Sequence, residues 1–377
     1  MVTVLPFIPE YITVHLGAPG SNAPNVTVPF IDYVKNVASS EIYPTWDESA
    51  LTANILAIIS FALNRVYTEF YRSQGYPYDI TSSTAIDQKF INGRNYFNSI
   101  SNIVDTIFND YIRRIGFVEP LAAKFCNGTT ATCEGLSQWG SQNLAQQGYR
   151  SIQILRNYYG NNIEIVNDAP LRSYTPSYPG TPLRQGSRGP NVVRIQVILN
   201  RIGENYPAIP RISSVDGIFG PETENAVRTF QRIFGLNADG IVGKATWYQL
   251  VRLYVGVNDL AELDSEGQRF YAVNWQTPGN LSSGSRGQSV RQLQFMLRVL
   301  SEYIREIPPV TEDGIFGQQT LNAVLAFQRF AGLTPDGIVG PATWSALYDR
   351  ASSIVGATNR LSPQYPGSPL QLGDSDF

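Results

Sequence analysis

Glu41 is a residue whose type and place are compatible with acid–base chemistry. Pro29 can open a short helix, Phe30, Val34 and Val37 mark its apolar side, and Glu41 continues that spacing. Near a helix carboxyl end the macrodipole disfavours an anion, and partial burial adds to the effect. A carboxyl kept protonated can donate to a leaving oxygen. On these residues alone, the plainer reading is a glutamate paired with an arginine. The 28 Lys and Arg include only 4 Lys, so positive charge comes mostly as planar forks that grip carboxylates. Arg232 and Arg329 each follow a helical Phe-Gln and are candidates to pair with a carboxylate ligand; a solvated surface arginine is the equal alternative. His15 is the only histidine, which excludes a two-histidine zinc site and leaves little room for a Ser-His-Asp hydrolase. It falls in an expected strand, where a structural role is the expectation. No cofactor is called for. Cys126 and Cys133 flank a Gly/Thr-rich loop, and a bridge or two buried thiols both remain open; the thiols are favoured because no secretion signal is visible.

The elements that must carry these residues can be read from patterning. The chain has 377 residues, enough for two or three domains, with 43% hydrophobic and 16% charged residues, as a folded protein requires. A net charge of −3 argues against a protein that binds nucleic acid by neutralising phosphates. The longest nearly unbroken apolar run, residues 55–63, is far short of the roughly 20 residues that span a bilayer. The first ten residues lack a basic region and a long apolar stretch, so no secretory signal is expected. Residues 11–16 and 25–28 read as strands. Thr45-x-x-Glu48 is a capping box that opens a long helix with a stripe of Leu51, Ile55, Ile58, Ile59, Ala62, Val66 and Phe70. A third helix carries Ile100, Ile103, Val104, Ile107, Phe108, Tyr111 and Ile112, a fourth starts near Ser137, and residues 151–159 add another. Strand material recurs near 116–124 and 163–166. Strands and helices are segregated, which predicts an α+β domain over residues 1–170.

The carboxyl-terminal half repeats itself. Gly186-Ser187-Arg188-Gly189 recurs as Gly284-Ser285-Arg286-Gly287, and Asp216-Gly217-Ile218-Phe219-Gly220 as Asp313-Gly314-Ile315-Phe316-Gly317. Phe230-Gln231-Arg232 returns as Phe327-Gln328-Arg329, Asp239-Gly240-Ile241-Val242-Gly243 as Asp336-Gly337-Ile338-Val339-Gly340, and Ala245-Thr246-Trp247 as Ala342-Thr343-Trp344. Asp-Gly pairs make tight turns, and both tryptophans are expected to close a core. Most of these motif residues are expected to hold the fold. Pro/Gly/Tyr-rich segments precede both copies, and a third, Tyr365-Pro366-Gly367-Ser368-Pro369-Leu370, lies in the tail at 351–377; it is either a flexible tail or the remnant of a further copy.

Each copy resembles the small helical peptidoglycan-binding domain of bacterial wall hydrolases and spore proteins. The shared pattern runs from Gly-x-x-Gly through Val192, Gln196 and Leu199 (again Val290, Gln294 and Leu297) to D-G-x-F-G, F-Q, D-G-x-x-G and T-W. The resemblance covers residues 183–252 and 281–350. It implies two small all-α three-helix domains whose partner is peptidoglycan glycan and stem peptide. Two tethered copies raise affinity for a repetitive polymer through effective concentration.

The leading domain resembles the stage II sporulation protein D family. The likeness lies in residues 30–44, in Trp46 and the helix after it, in Gly135-Leu136-Ser137-Gln138-Trp139-Gly140-Ser141-Gln142, and in residues 152–165. That family comprises lytic transglycosylases acting on glycan stripped of stem peptides. The resemblance makes Glu41 the catalytic acid and Ser137 and Gln138 substrate-binding residues. The chain departs from the family at Thr52 and Ile59, where Lys and Arg are common, and in Thr84-Ala85-Ile86-Asp87-Gln88, which lacks the His-Cys pair of some members. Two functions follow: a wall-remodelling enzyme held on its substrate by the repeats, or a non-catalytic wall or spore-surface protein with a degenerate catalytic domain. Both place the chain at the wall or spore, reached from a mother-cell cytoplasm or by release on lysis.

Overall fold

The computed structural model describes residues 6–115, 117–131, 133–173, 175–213, 215–268, 279–301 and 304–358. The tail segment at Tyr365, along with Tyr174, Thr277 and Pro278 of the two earlier Pro/Gly/Tyr-rich segments, lies outside the described residues. The chain divides into two compact units, one within Leu5–Gln268 and one within Arg269–Leu361.

The first unit opens with β1 (Ile8–Pro9), β2 (Tyr11–His15), β3 (Asn25–Pro29), α1 (Phe30–Glu41) and α2 (Glu48–Tyr67). There follow β4 (Ile80–Thr81), α3 (Asn98–Ile107), β5 (Tyr111–Arg114), β6 (Phe125–Cys126), β7 (Leu136–Ser137), α4 (Gln138–Gln146), α5 (Ser151–Tyr159), β8 (Ile163–Val166) and β9 (Leu171–Arg172). β2 lies between antiparallel β3 and parallel β4; β5 pairs antiparallel with β8, while β1–β9 and β6–β7 are parallel pairs. The amino-terminal part therefore mixes helices with short strands.

α2 is the centre of this part. Nearly every residue from Ala50 to Tyr67 is buried, because α1, α3, α4, α5 and β5 pack around it. A helix apolar on all sides needs such a surround. By length and composition α2 and the turn after it would also cross a bilayer, but 89% of that window is buried inside the domain. Phe30, Val34 and Val37 are buried as their spacing requires.

Several details differ from the sequence expectation. Tyr111 and Ile112, expected in the third helix, lie in β5 because they pair with β8. α2 begins at Glu48 with Asp47 as its N-cap, so the Thr45 capping box does not form. Gln142 takes over the tethering: its carbonyl accepts the Asp47 N–H at 3.0 Å and its amide donates to Asp47 Oδ2 at 2.6 Å. The 116–124 segment forms no strand among its described residues. Val118 N–H donates instead to the Gln268 carbonyl at 3.1 Å, so this segment pairs with chain beyond the first repeat. Cys126 and Cys133 form a disulfide rather than two thiols. Asn127 Oδ1 accepts the N–H groups of Thr129, Thr130 and Ala131, and this turn brings the two cysteines together.

The first repeat lies in the same unit, with α6 (Pro190–Asn205), α7 (Pro221–Ile233) and α8 (Lys244–Val257). Its core gathers Val192, Leu199, Phe219, Phe230 and Trp247, and Phe70, the last member of the α2 stripe, packs against it. Leu263, which follows α8, packs in turn against the core of the amino-terminal part. The second unit holds α9 (Gln288–Ser301), α10 (Gln318–Phe330) and α11 (Pro341–Thr358) around Val290, Leu297, Phe316, Phe327 and Trp344.

One polar device occurs four times. Gln196 is buried; its amide donates to Asp216 Oδ1, the Ile218 carbonyl and Thr223 Oγ1, and its carbonyl accepts Gly217 N–H at 2.9 Å. Gln231 does the same for the turn at Asp239-Gly240. Gln294 and Gln328 repeat the device at Asp313-Gly314 and Asp336-Gly337. A buried glutamine thus satisfies each Asp-Gly turn, which is why Gln and Asp-Gly recur together in the sequence. Gln294→Leu leaves the Gly314 N–H and part of Asp313 without a partner. It is expected to cost the second unit about 2–3 kcal/mol, read as a lowered midpoint in denaturant melts.

Candidate functional site

The site is built at the meeting of two helix ends. Glu41 is the last residue of α1, and Gln138 is the first of α4. Gln138 Nε2 donates to Glu41 Oε2 at 3.4 Å, across 97 residues of sequence. Glu41 Oε1 accepts the Lys89 N–H at 2.9 Å. The Glu41 side chain is half-buried while Gln138 is 3% exposed. The carboxyl is therefore fixed by one donor on each oxygen and still reaches solvent.

Each side of this contact is braced. On the α1 side, a loop lies along the helix: Tyr33 donates to Gln88 Oε1 at 2.8 Å, Asn36 exchanges two hydrogen bonds with the backbone of Ile91, and Ser39 Oγ accepts Phe97 N–H. On the α4 side, Ser137 caps the helix by accepting Gly140 N–H at 3.0 Å. The Gln138 carbonyl accepts the Ser141 hydroxyl, which in turn accepts the Asn54 amide of α2 at 2.7 Å. Two glycines make this approach possible. Gly135 has φ of 139°, and a Cβ there would stand 2.1 Å from the Lys124 carbonyl oxygen. A Cβ on Gly140 would stand 2.0 Å from the Tyr158 hydroxyl. Ser137 also hydrogen-bonds Tyr158, so its hydroxyl is engaged in the fold.

The site has an aromatic border, made by residues that lie within the resembling segments but are not among the candidate site residues. Tyr43, two residues after Glu41, and Trp139, next to Gln138, are 55% and 38% exposed. Their ring centroids are 5.4 Å apart, and both rest on Trp46, at 5.6 and 5.0 Å. The one signal in the sequence is position: each is an aromatic beside a candidate site residue.

The other candidates sit elsewhere. Arg232 and Arg329 are exposed near the ends of α7 and α10. His15 is buried, stacked on Tyr78 and bonded to Asn25 and Ser21. Thr52 is half-buried and Ile59 fully buried, so neither brings charge to the carboxyl. In the 84–88 segment, Asp87 pairs with Arg65 at 3.0 Å and accepts from Tyr71 and Thr81, while Gln88 donates to the Ile58 carbonyl. That segment is a brace between α2 and the loop. Among the described residues, no three His, Cys, Asp or Glu side chains gather as a metal site.

Two further carboxyls are perturbed by burial. Glu69 and Glu119 are each pushed up to about 7, with desolvation as the largest cause, opposed by hydrogen bonds. Glu69 accepts from Ser177 N–H at 2.9 Å and from the Ser177 hydroxyl, which itself accepts the Trp247 indole N–H. Glu119 accepts from the Ser265 hydroxyl at 2.8 Å and Gln268 N–H at 2.9 Å. Both lie where the amino-terminal part meets the first repeat and the chain flanking it.

Comparison with known proteins bears on the repeats first. Residues 188–250 and 286–347 match the family described as "Putative peptidoglycan binding domain". The chain thus carries two tandem domains that match this family. It is 32% identical over 176 residues to a "Probable N-acetylmuramoyl-L-alanine amidase" of Bacillus licheniformis, covering 45% of this chain and 46% of that protein. The chain therefore spans less than half the length of that relative. It is 26% identical over 322 residues to the N-acetylmuramoyl-L-alanine amidase CwlL of the same organism, covering 83% of this chain and 84% of that one. Among solved structures, the SleB N-terminal domain is 33% identical, covering 20% of this chain and 94% of that chain, with a TM-score of 0.18.

Proposed function

We propose that the protein acts on peptidoglycan at the wall or spore: the two repeats hold the polymer, and the amino-terminal part cleaves glycan as a lytic transglycosylase with Glu41 as its single acid and base. The observation that carries this reading is the contact of Glu41 with Gln138, with the carboxyl half-exposed. In this reading the Glu41 carboxyl protonates the glycosidic oxygen, and the bond to the anomeric carbon breaks. The resulting carboxylate then takes the proton of a hydroxyl on the same sugar as that oxygen closes an anhydro ring. One carboxyl serves both steps, so the pair of carboxyls used by most glycosidases is not needed. Lys89 N–H and the Gln138 amide orient the carboxyl for this transfer.

Two other readings each have an observation behind them. Cleavage of the N-acetylmuramoyl-L-alanine amide is favoured by the names of the relatives above. A non-catalytic scaffold is favoured by Thr52 and Ile59, which put no cation near the carboxyl. Incubation of the full chain with purified peptidoglycan, with and without stem peptides, separates the three. Anhydro-sugar ends support the transglycosylase, released stem peptides the amidase, and unchanged polymer the scaffold.

The exposed Arg232 and Arg329 are proposed to pair with stem-peptide carboxylates. Arg232→Ala with Arg329→Ala is expected to weaken binding to intact sacculi about tenfold, and much less to glycan without peptides. Equal affinities of the double variant and the wild type for sacculi would contradict the assignment.

A further inference from the structure

We propose that Tyr43 and Trp139 form a stacking platform for a pyranose ring of an N-acetylated amino-sugar strand, and so position that strand over Glu41. The inference rests on the glycan-cleaving reading and gives it a substrate subsite.

Three features carry it. First, the two rings are exposed yet not loose. Trp46, 9% exposed, lies against both rings, and Trp139 lies in the first turn of α4, its backbone N–H donating to the Asn127 carbonyl at 3.1 Å. Exposed aromatics on a buried ring are held ready, so little side-chain freedom is lost when a ligand covers them. Second, each platform residue is covalently near the polar pair: Tyr43 is two residues from Glu41, and Trp139 adjoins Gln138. Apolar faces beside a carboxyl and an amide match a pyranose, which offers C–H groups on its faces and hydroxyls at its edge. A lipid chain offers no hydrogen-bonding group for the carboxyl and amide. Third, the same chain carries two peptidoglycan-binding domains, so amino-sugar polymer is the ligand brought into reach.

The test uses the full chain and a soluble tetrasaccharide of the alternating N-acetylated amino sugars without stem peptides, measured by calorimetry. The background is Glu41→Gln, so that the probe is not consumed. Tyr43→Ala and Trp139→Ala on that background are each expected to weaken binding about tenfold, and Trp139→Phe to restore most of the loss. Both rings are at the surface, and circular dichroism of each variant checks the fold. Unchanged affinity in both alanine variants would overturn the platform. The glycan-cleaving reading is tested apart from it, by product formation with the wild-type chain. Ring-dependent binding without product retains the platform and removes the reading. Product formation with unchanged KM in Tyr43→Ala and Trp139→Ala retains the reading and removes the platform.

Discussion

Glu41→Gln is expected to lower the rate of anhydro-sugar release from stripped glycan by about 10²–10⁴-fold, the usual contribution of a general acid–base group. The substitution is nearly isosteric. The glutamine carbonyl can accept the Lys89 N–H as Glu41 Oε1 does, so the loop along α1 keeps its anchor. On the other side, Gln138 can turn its carbonyl toward the new amide, exchanging one hydrogen bond for another. Only the transferable proton is lost. Glu41→Ala also removes the Lys89 contact and is expected to cost about 1 kcal/mol of stability besides the activity. Comparing the two variants separates the chemical part of Glu41 from its structural part. A Glu41→Gln chain that forms anhydro ends at the wild-type rate would exclude this residue as the acid.

The second large effect is on stability. Glu69 and Glu119 sit at about 7 in the folded chain against an ordinary value of 4.5. Between those values the folded chain holds protons that the unfolded chain has released. The stabilisation these two groups contribute is therefore full at or below about pH 4.5, falls as pH rises toward 7, and is lost above it. Each tenfold tightening of proton binding by the fold is worth roughly 1.4 kcal/mol, so each group contributes on the order of a few kcal/mol. Asp110, also raised by burial, acts in the same direction from a lower starting value. Asp239, Asp313 and Asp336 are held low by turn N–H groups and lose their contribution only below the ordinary carboxylate range, outside this window. The melting temperature of the first unit is expected to be several degrees lower at pH 7.5 than at pH 5. Glu69→Gln with Glu119→Gln should flatten that dependence. Calorimetric scans at the two pH values check it, and an identical transition in the wild-type chain would contradict the burial argument. Because both glutamates bond to residues flanking the first repeat, the same titration governs how firmly that repeat is held against the amino-terminal part.

Much of this architecture was legible, for identifiable reasons. The helical stripes through Phe30, Val34 and Val37, and through Ile55 to Val66, mark residues that are buried at helical spacing, although α2 is buried on its remaining faces as well. Residues 111–112 extend the apolar pattern of α3, yet the helix ends at Ile107 and Tyr111–Arg114 pair with β8, a choice made by a partner strand about 50 residues away. The capping box at Thr45 failed for a similar reason: Gln142, from α4, supplies the tether that Thr45 and Glu48 would have supplied locally. Glu69 and Glu119 gave no signal, because what buries them belongs to the first repeat and the residues around it. The Glu41–Gln138 contact was reachable only through resemblance; no periodicity links positions 97 residues apart. Tyr43 and Trp139 carried no periodic signal either, since exposure is set by where two helix ends meet. The Asp-Gly turns were the most readable feature, because the motif is written four times; that a buried glutamine holds each of them is visible only in the structure.

Sedimentation of the purified full chain with intact sacculi tests the wall-binding claim most directly. The protein is expected in the pellet, released by excess soluble peptidoglycan fragments. Protein that stays wholly in the supernatant across a range of sacculus concentrations would contradict it.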